Sequence, residues 1–188
     1  MKKSMFKTPF AIGLALIALM FTSCDLFDKA DDISFDTTLE EAIVVNEPAT
    51  AVSKTYSKSI TLDATSDPEI NKYKSKISGF KVKKVNYQVT QFTQNSVITI
   101  SNASISFGDA SSSAAEVLGT IPNINIKEAF DNGTVFELTL DQTKINRISS
   151  LLKDDKAVKV YVEGTLSQTP VEFEITVSLD VTVEADAL

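Results

Sequence analysis

Cys24 is the only cysteine in 188 residues, and it has the most specific chemistry on offer. A disulfide needs a second cysteine, which the chain lacks. With no histidine anywhere, a Cys-His pair, a Ser-His-Asp triad and a His-built zinc site are ruled out within this chain. Carboxylates are the remaining catalytic candidates. Glu172, Glu174, Asp180 and Glu184 could supply the two acids, about 5 to 9.5 Å apart, of a glycan-active hydrolase. They alternate down one segment, however, as a solubilising face does, and Asp63 and Asp141 suit turn and cap positions better. Asp109, Asp131, Asn132, Asp154 and Asp155 fall in loops as calcium-binding oxygens would. None sits in an alternating-acid loop with a glycine and a terminal glutamate. A carboxylate-dependent glycan-active enzyme and a calcium-stabilised adhesion module are therefore the alternatives to a non-catalytic reading. The chain also has no tryptophan, the usual sugar-stacking platform, so Tyr56, Tyr73, Tyr87, Tyr161 and the phenylalanines would have to replace it. No glycine is followed by Lys-Ser or Lys-Thr, so there is no phosphate loop.

The residues before Cys24 explain it. Lys2, Lys3 and Lys7 form a positive head, residues 11–21 are apolar apart from Gly13, and Thr22 and Ser23 follow. This is the layout of a secretory signal, too short for a membrane span of about 20 residues. Ending as it does on Phe21-Thr22-Ser23-Cys24, it resembles a bacterial lipoprotein signal, which implies that Cys24 becomes the acylated first residue of the mature chain. Phe21 stands where the common pattern has leucine. A free thiol in an oxidising compartment is the competing reading, and an attached lipid accounts better for a lone cysteine. Each buried methylene contributes roughly 0.8 kcal/mol, and two or more acyl chains anchor stably where one is marginal. Asp25, Asp28, Asp31 and Asp32 then crowd residues 24–32. That acidic tether resembles the segment that marks surface-exposed lipoproteins of the Bacteroidota, which implies the outer membrane and exposure at the cell surface. An aspartate beside the cysteine is also similar to the inner-membrane retention signal of enterobacteria. Asp36-Thr37-Thr38 resembles the O-glycosylation tripeptide of Bacteroidota exported proteins.

Removing residues 1–23 takes away three lysines and no acid, so the net charge moves from −7 to −10. Nucleic acid and anionic lipid surfaces, which are bound largely through Lys and Arg, are poor partners for such a domain. About 165 residues remain, enough to bury a core without disulfides.

The elements that carry these residues are mostly strands. Residues 33–38 and 42–45 read as one or two strands, and residues 54–62 as another. Asp67-Pro68-Glu69 is an N-cap, a first-turn proline and a first-turn acid. The helix is expected to run to about Ile77 with Ile70, Tyr73 and Ile77 on one stripe, Gly79 ending it, and Lys72, Lys74 and Lys76 on its wet face. Residues 80–92 form a long strand whose phase shift at Lys83-Lys84 predicts a bulge. Residues 97–107 follow as its expected hairpin partner. Residues 114–121 read as an edge strand stopped by Pro122, and residues 123–130 as either a strand or one helical turn. Asp131-Asn132-Gly133 turns the chain into a half-buried strand carrying Phe136, Leu138 and Leu140. Asp141 caps a second helix to about Lys153, with Ile145, Ile148, Leu151 and Leu152 as its stripe. Val158, Val160 and Val162 carry the next strand. The last alternates without a miss from Val171 to Val183, one face buried and one wet.

The order strand, helix, strand, strand thus occurs twice, at Ile60-Thr61-Leu62-Asp63 and at Leu138-Thr139-Leu140-Asp141. The expected fold is mainly β: an antiparallel, immunoglobulin-like β-sandwich over residues 33–188, with seven to nine strands and two short crossover helices. An α+β sheet with both helices on one face is the runner-up. Together with the leader, this looks like a small lipoprotein of the Bacteroidota type. The expected function is a lipid-anchored cell-envelope lipoprotein, non-catalytic, without cofactor or metal, held to the membrane by Cys24. It would bind a protein or glycan partner and no nucleic acid.

Overall fold

The computed structural model describes residues 32–51 and 53–186. The leader, Cys24 and the tether up to Asp31 lie outside the described residues. In chain order the elements are β1 (Asp32–Glu47), β2 (Thr55–Asp63), a 3-10 turn (Ala64–Ser66), α1 (Pro68–Lys72), β3 (Ile77–Phe92), β4 (Thr99–Asp109), β5 (Ala115–Ile121), β6 (Ile124–Asn125), α2 (Ile126–Asp131), β7 (Val135–Glu137), α3 (Gln142–Asp155), β8 (Ala157–Leu166) and β9 (Val171–Asp186).

The alternation in β9 has the consequence expected of it. Val171, Phe173, Ile175, Val177, Leu179, Val181, Val183 and Ala185 are all buried on one face. β9 pairs antiparallel with β1 on one side and β3 on the other. β3 holds its apolar face by changing phase. Register shifts at Val82/Lys84 and Val89/Gln91 bring Phe80, Val82, Val85, Tyr87, Val89 and Phe92 all into the core. A bulge moves every later side chain to the other face, so it rescues a pattern that switches parity. β4 does the same at its Ser101/Ser104 shift, where Asn102 takes a φ of 49°. Ile98 and Ile100 before it and Ala103, Ile105 and Phe107 after it are all buried.

Two antiparallel sheets result, one in the order β1-β9-β3-β7 and the other β2-β8-β4-β5, with β6 paired to β4. This is the expected β-sandwich, and the two sheets exclude a single sheet carrying both helices on one face. Its strand order is that of a jelly roll and not the immunoglobulin-like layout expected. The pairs β1·β9, β2·β8, β3·β7 and β4·β5 are the rungs of one long hairpin. Winding it up adds the seams β3·β9 and β4·β8. The repeated strand-helix-strand-strand order follows from that winding, since α1 and α3 each cover a point where the chain changes sheet.

The extent of the first helix and the β3–β4 hairpin are corrected, and two readings left open, of residues 33–45 and 123–130, are decided. Residues 33–45 belong to one strand of 16 residues, β1. The first helix stops at Lys72, because Ile77 and Gly79 pair with Ala185 and Glu184 of β9. Gly79 is therefore in a strand, and Lys74 and Lys76 follow the helix. β3 and β4 are not a hairpin: both edges of β3 are taken by β9 and β7, so the chain crosses to the opposite sheet and the two apolar faces meet across the core. Residues 123–130 are both things at once, a two-residue strand running into α2.

Candidate functional site

The two lateral sides of the sandwich differ. On one side β1 and β2 close on each other: Lys58 pairs with Glu47 at 2.9 Å, Thr37 Oγ1 donates to Asp67 at 2.8 Å, and the Phe35 and Tyr73 rings lie 6.0 Å apart. On the other side the edges β5 and β7 stand apart and a cleft of about 780 Å³ opens between them.

Local sequence builds each wall. Asn125 caps α2 by accepting from the Glu128 N–H. α2 ends with Gly133 N–H on Phe130 O and Thr134 N–H on Ala129 O, the paired bonds of a Schellman motif. Gly133 supplies the positive φ of 58° that this motif needs. The reversed chain then lays Val135–Glu137 against β3, with Phe136 stacked on Tyr87 at 5.0 Å. Leu138 N–H continues to Val85 O. Across the cleft β5 passes so close to Leu138 that a Cβ on Gly119 would lie 2.9 Å from its Cδ2. Asp141 caps α3 through the Lys144 N–H, which places Lys144 in the first turn with its amine donating to Leu118 O at 2.7 Å.

The cleft therefore has an apolar floor of Leu118, Phe136 and Leu138, and a valine on each rim. Val117 and Val135 are 55% and 60% exposed. Lys84 and Glu137 form a closed pair at 2.9 Å on one rim, and that hydrogen bond raises the Lys84 ammonium above its ordinary value. Burial pushes the Tyr87 phenol up. Lys144 has no carboxylate within 4.0 Å among the described residues. It is the lysine of the cleft without an anionic partner among the described residues.

The carboxylates singled out from sequence do not converge. Glu174 and Asp180 accept hydroxyls from Thr90 and Thr38, and Glu184 pairs with Lys81, all along the wet face of β9. Asp63 caps the 3-10 turn and Asp141 caps α3. Of the loop oxygens, Asp109 and Asp155 come together, with the Asp109 carboxyl held low chiefly by the Ser111 hydroxyl. Asp131 is elsewhere, paired with Lys127 at 2.6 Å. Among the described residues no group of three or more His, Cys, Asp or Glu could hold a metal ion. No helix among them is long and apolar enough to cross a membrane. In Asp36-Thr37-Thr38 both hydroxyls are engaged, by Asp67 and Asp180. Sequence reading missed the cleft; its only signal was the edge character of residues 114–121.

No family model matches the sequence, and no curated protein sequence matches it. Among solved structures, a chain of Desmodium yellow mottle tymovirus is similar with a TM-score of 0.36 at 8% identity, over 100% of this chain and 97% of that one. A turnip yellow mosaic virus chain gives 0.33 at 8% identity over 83% and 96%, and an infectious bursal disease virus chain gives 0.28 at 7% identity over 84% and 39%. None of these similarities bears on what this chain does.

Proposed function

We propose that this chain is a lipid-anchored cell-envelope lipoprotein of the outer membrane, exposed at the cell surface, with a non-catalytic binding role. The observation that carries the reading is the apolar run of residues 11–21 closing on the sole cysteine, Cys24. Acylation uses the one residue whose chemistry nothing else in the chain employs. The lateral cleft supports the binding half of the reading, because an apolar floor rimmed by polar groups such as Thr120, Thr139 and Lys144 suits recognition. Residues 24–31 can span at most about 28 Å, so the end of the sandwich where β1 starts and β9 stops stays near the bilayer. Labelling growing cells with a palmitate analogue tests the proposal. Label is expected on the wild-type chain and absent from Cys24→Ser. Label on both, or on neither, contradicts it. Protease cleavage of the domain on whole cells is the expected sign of surface exposure.

A further inference from the structure

Among the sheet edges, β5 differs from the other three. β1 and β2 close on each other, and β7 is three residues long. β5 runs for seven residues, Ala115–Ile121, contains no proline or lysine, and among the described residues pairs as a strand only with β4, while Gly119 packs against Leu138. Its outer flank faces the lateral cleft. Natural sheets guard such an edge with charges, prolines, bulges or a covering segment, because its unpaired N–H and C=O groups template another strand. Here Glu116 and the register shift at Val117/Gly119 are the guards within the strand, and no strand pairs with its outer side among the described residues. Lys144 reaches in from α3 and occupies one outward carbonyl, that of Leu118. An ammonium has three donors, so among the described residues this leaves two without a partner, and no carboxylate there meets them.

We propose that the β5 edge accepts an extended peptide segment as an added strand, with a carboxylate of that peptide on Lys144 and its apolar side chains over Leu118, Leu138 and the rim residues Val117 and Val135. Backbone pairing gives such a complex its affinity and alternate side chains give it selectivity. An acyl chain would fill the apolar floor and leave the strand edge unpaired, so the edge favours a peptide. The Lys144 charge favours an acidic one. This rests on the reading of a binding domain and not on Cys24: lost lipid label would leave it standing, and failure here would leave lipidation standing.

Hydrogen-deuterium exchange of the full chain tests it, using a blocked heptapeptide Thr-Val-Thr-Glu-Val-Thr-Val as probe. At saturating peptide, β5 amides are expected to exchange at least about tenfold more slowly. The glutamine analogue of the peptide, and the Lys144→Met chain, should each bind about tenfold more weakly. Val117→Asp, which places a like charge on the rim, should also weaken binding, and β9 exchange reports in the same samples that each variant is folded. No protection of β5, or equal binding by the glutamine peptide and by Lys144→Met, overturns the proposal. So does protection that appears without peptide and grows with protein concentration, since a second copy of the chain would then be the occupant.

Discussion

Asp67 joins a helix cap to a neighbouring strand. Its carboxylate caps α1 by accepting from Glu69 N–H at 2.7 Å and Ile70 N–H at 3.1 Å. It also takes the Thr37 hydroxyl of β1, tying the β2–β3 crossover to the edge strand. Burial pushes this carboxyl up, and the bonds from Ile70, Thr37 and Glu69 with the charge of Lys72 pull it further down, to a net value below the ordinary 3.8. A depressed carboxyl stabilises the fold above its unfolded value of about 3.9 and loses that contribution as pH falls through the folded value. Asp67→Ala is expected to destabilise by about 1 kcal/mol at neutral pH, and the gap to wild type should narrow below about pH 4. Urea unfolding at several pH values measures both; a gap that widens in acid would refute the role. This residue was readable in sequence, because Asp-Pro-Glu is a local signal that needs no tertiary partner. Thr37, thirty residues away, was not.

At the scale of elements, legibility followed the same division. β9 could be read residue by residue because strict alternation has one interpretation in a sheet wet on one face. The bulge in β3 was legible as a parity change. The end of α1 was not: Ile70, Tyr73 and Ile77 have helical spacing, yet Ile77 gains more as a rung against Ala185 than as another turn. α2 and β7 offer a clean test of how local geometry sets the cleft. A Cβ on Gly133 meets only Gln88 Nε2, at 3.8 Å, so Gly133→Ala isolates the effect of its positive φ. The substitution is expected to cost about 1 kcal/mol, with faster amide exchange concentrated in β7. Uniform loss of protection across both sheets would show that β7 is not separately positioned by that turn.

For the molecule as a whole, the sandwich followed from strand patterns, whereas the strand order depended on pairings between residues more than a hundred positions apart. Asp32 meets Asp186 and Thr55 meets Thr165. Nothing local in β3 or β4 says whether two consecutive apolar strands lie side by side or face each other, and the cleft exists only because they face. Its walls come from β5, β7 and the first turn of α3, so no single stretch of sequence announces it. The proposed anchor lies toward one end of a sandwich about 50 Å long, taking about 3.3 Å per residue of β9. The mass of the N-terminal peptide of the chain isolated from its own envelope tests the anchor most directly. The account expects a chain that begins at Cys24 and carries lipid on it; a peptide that begins elsewhere, or an unmodified Cys24, would contradict it.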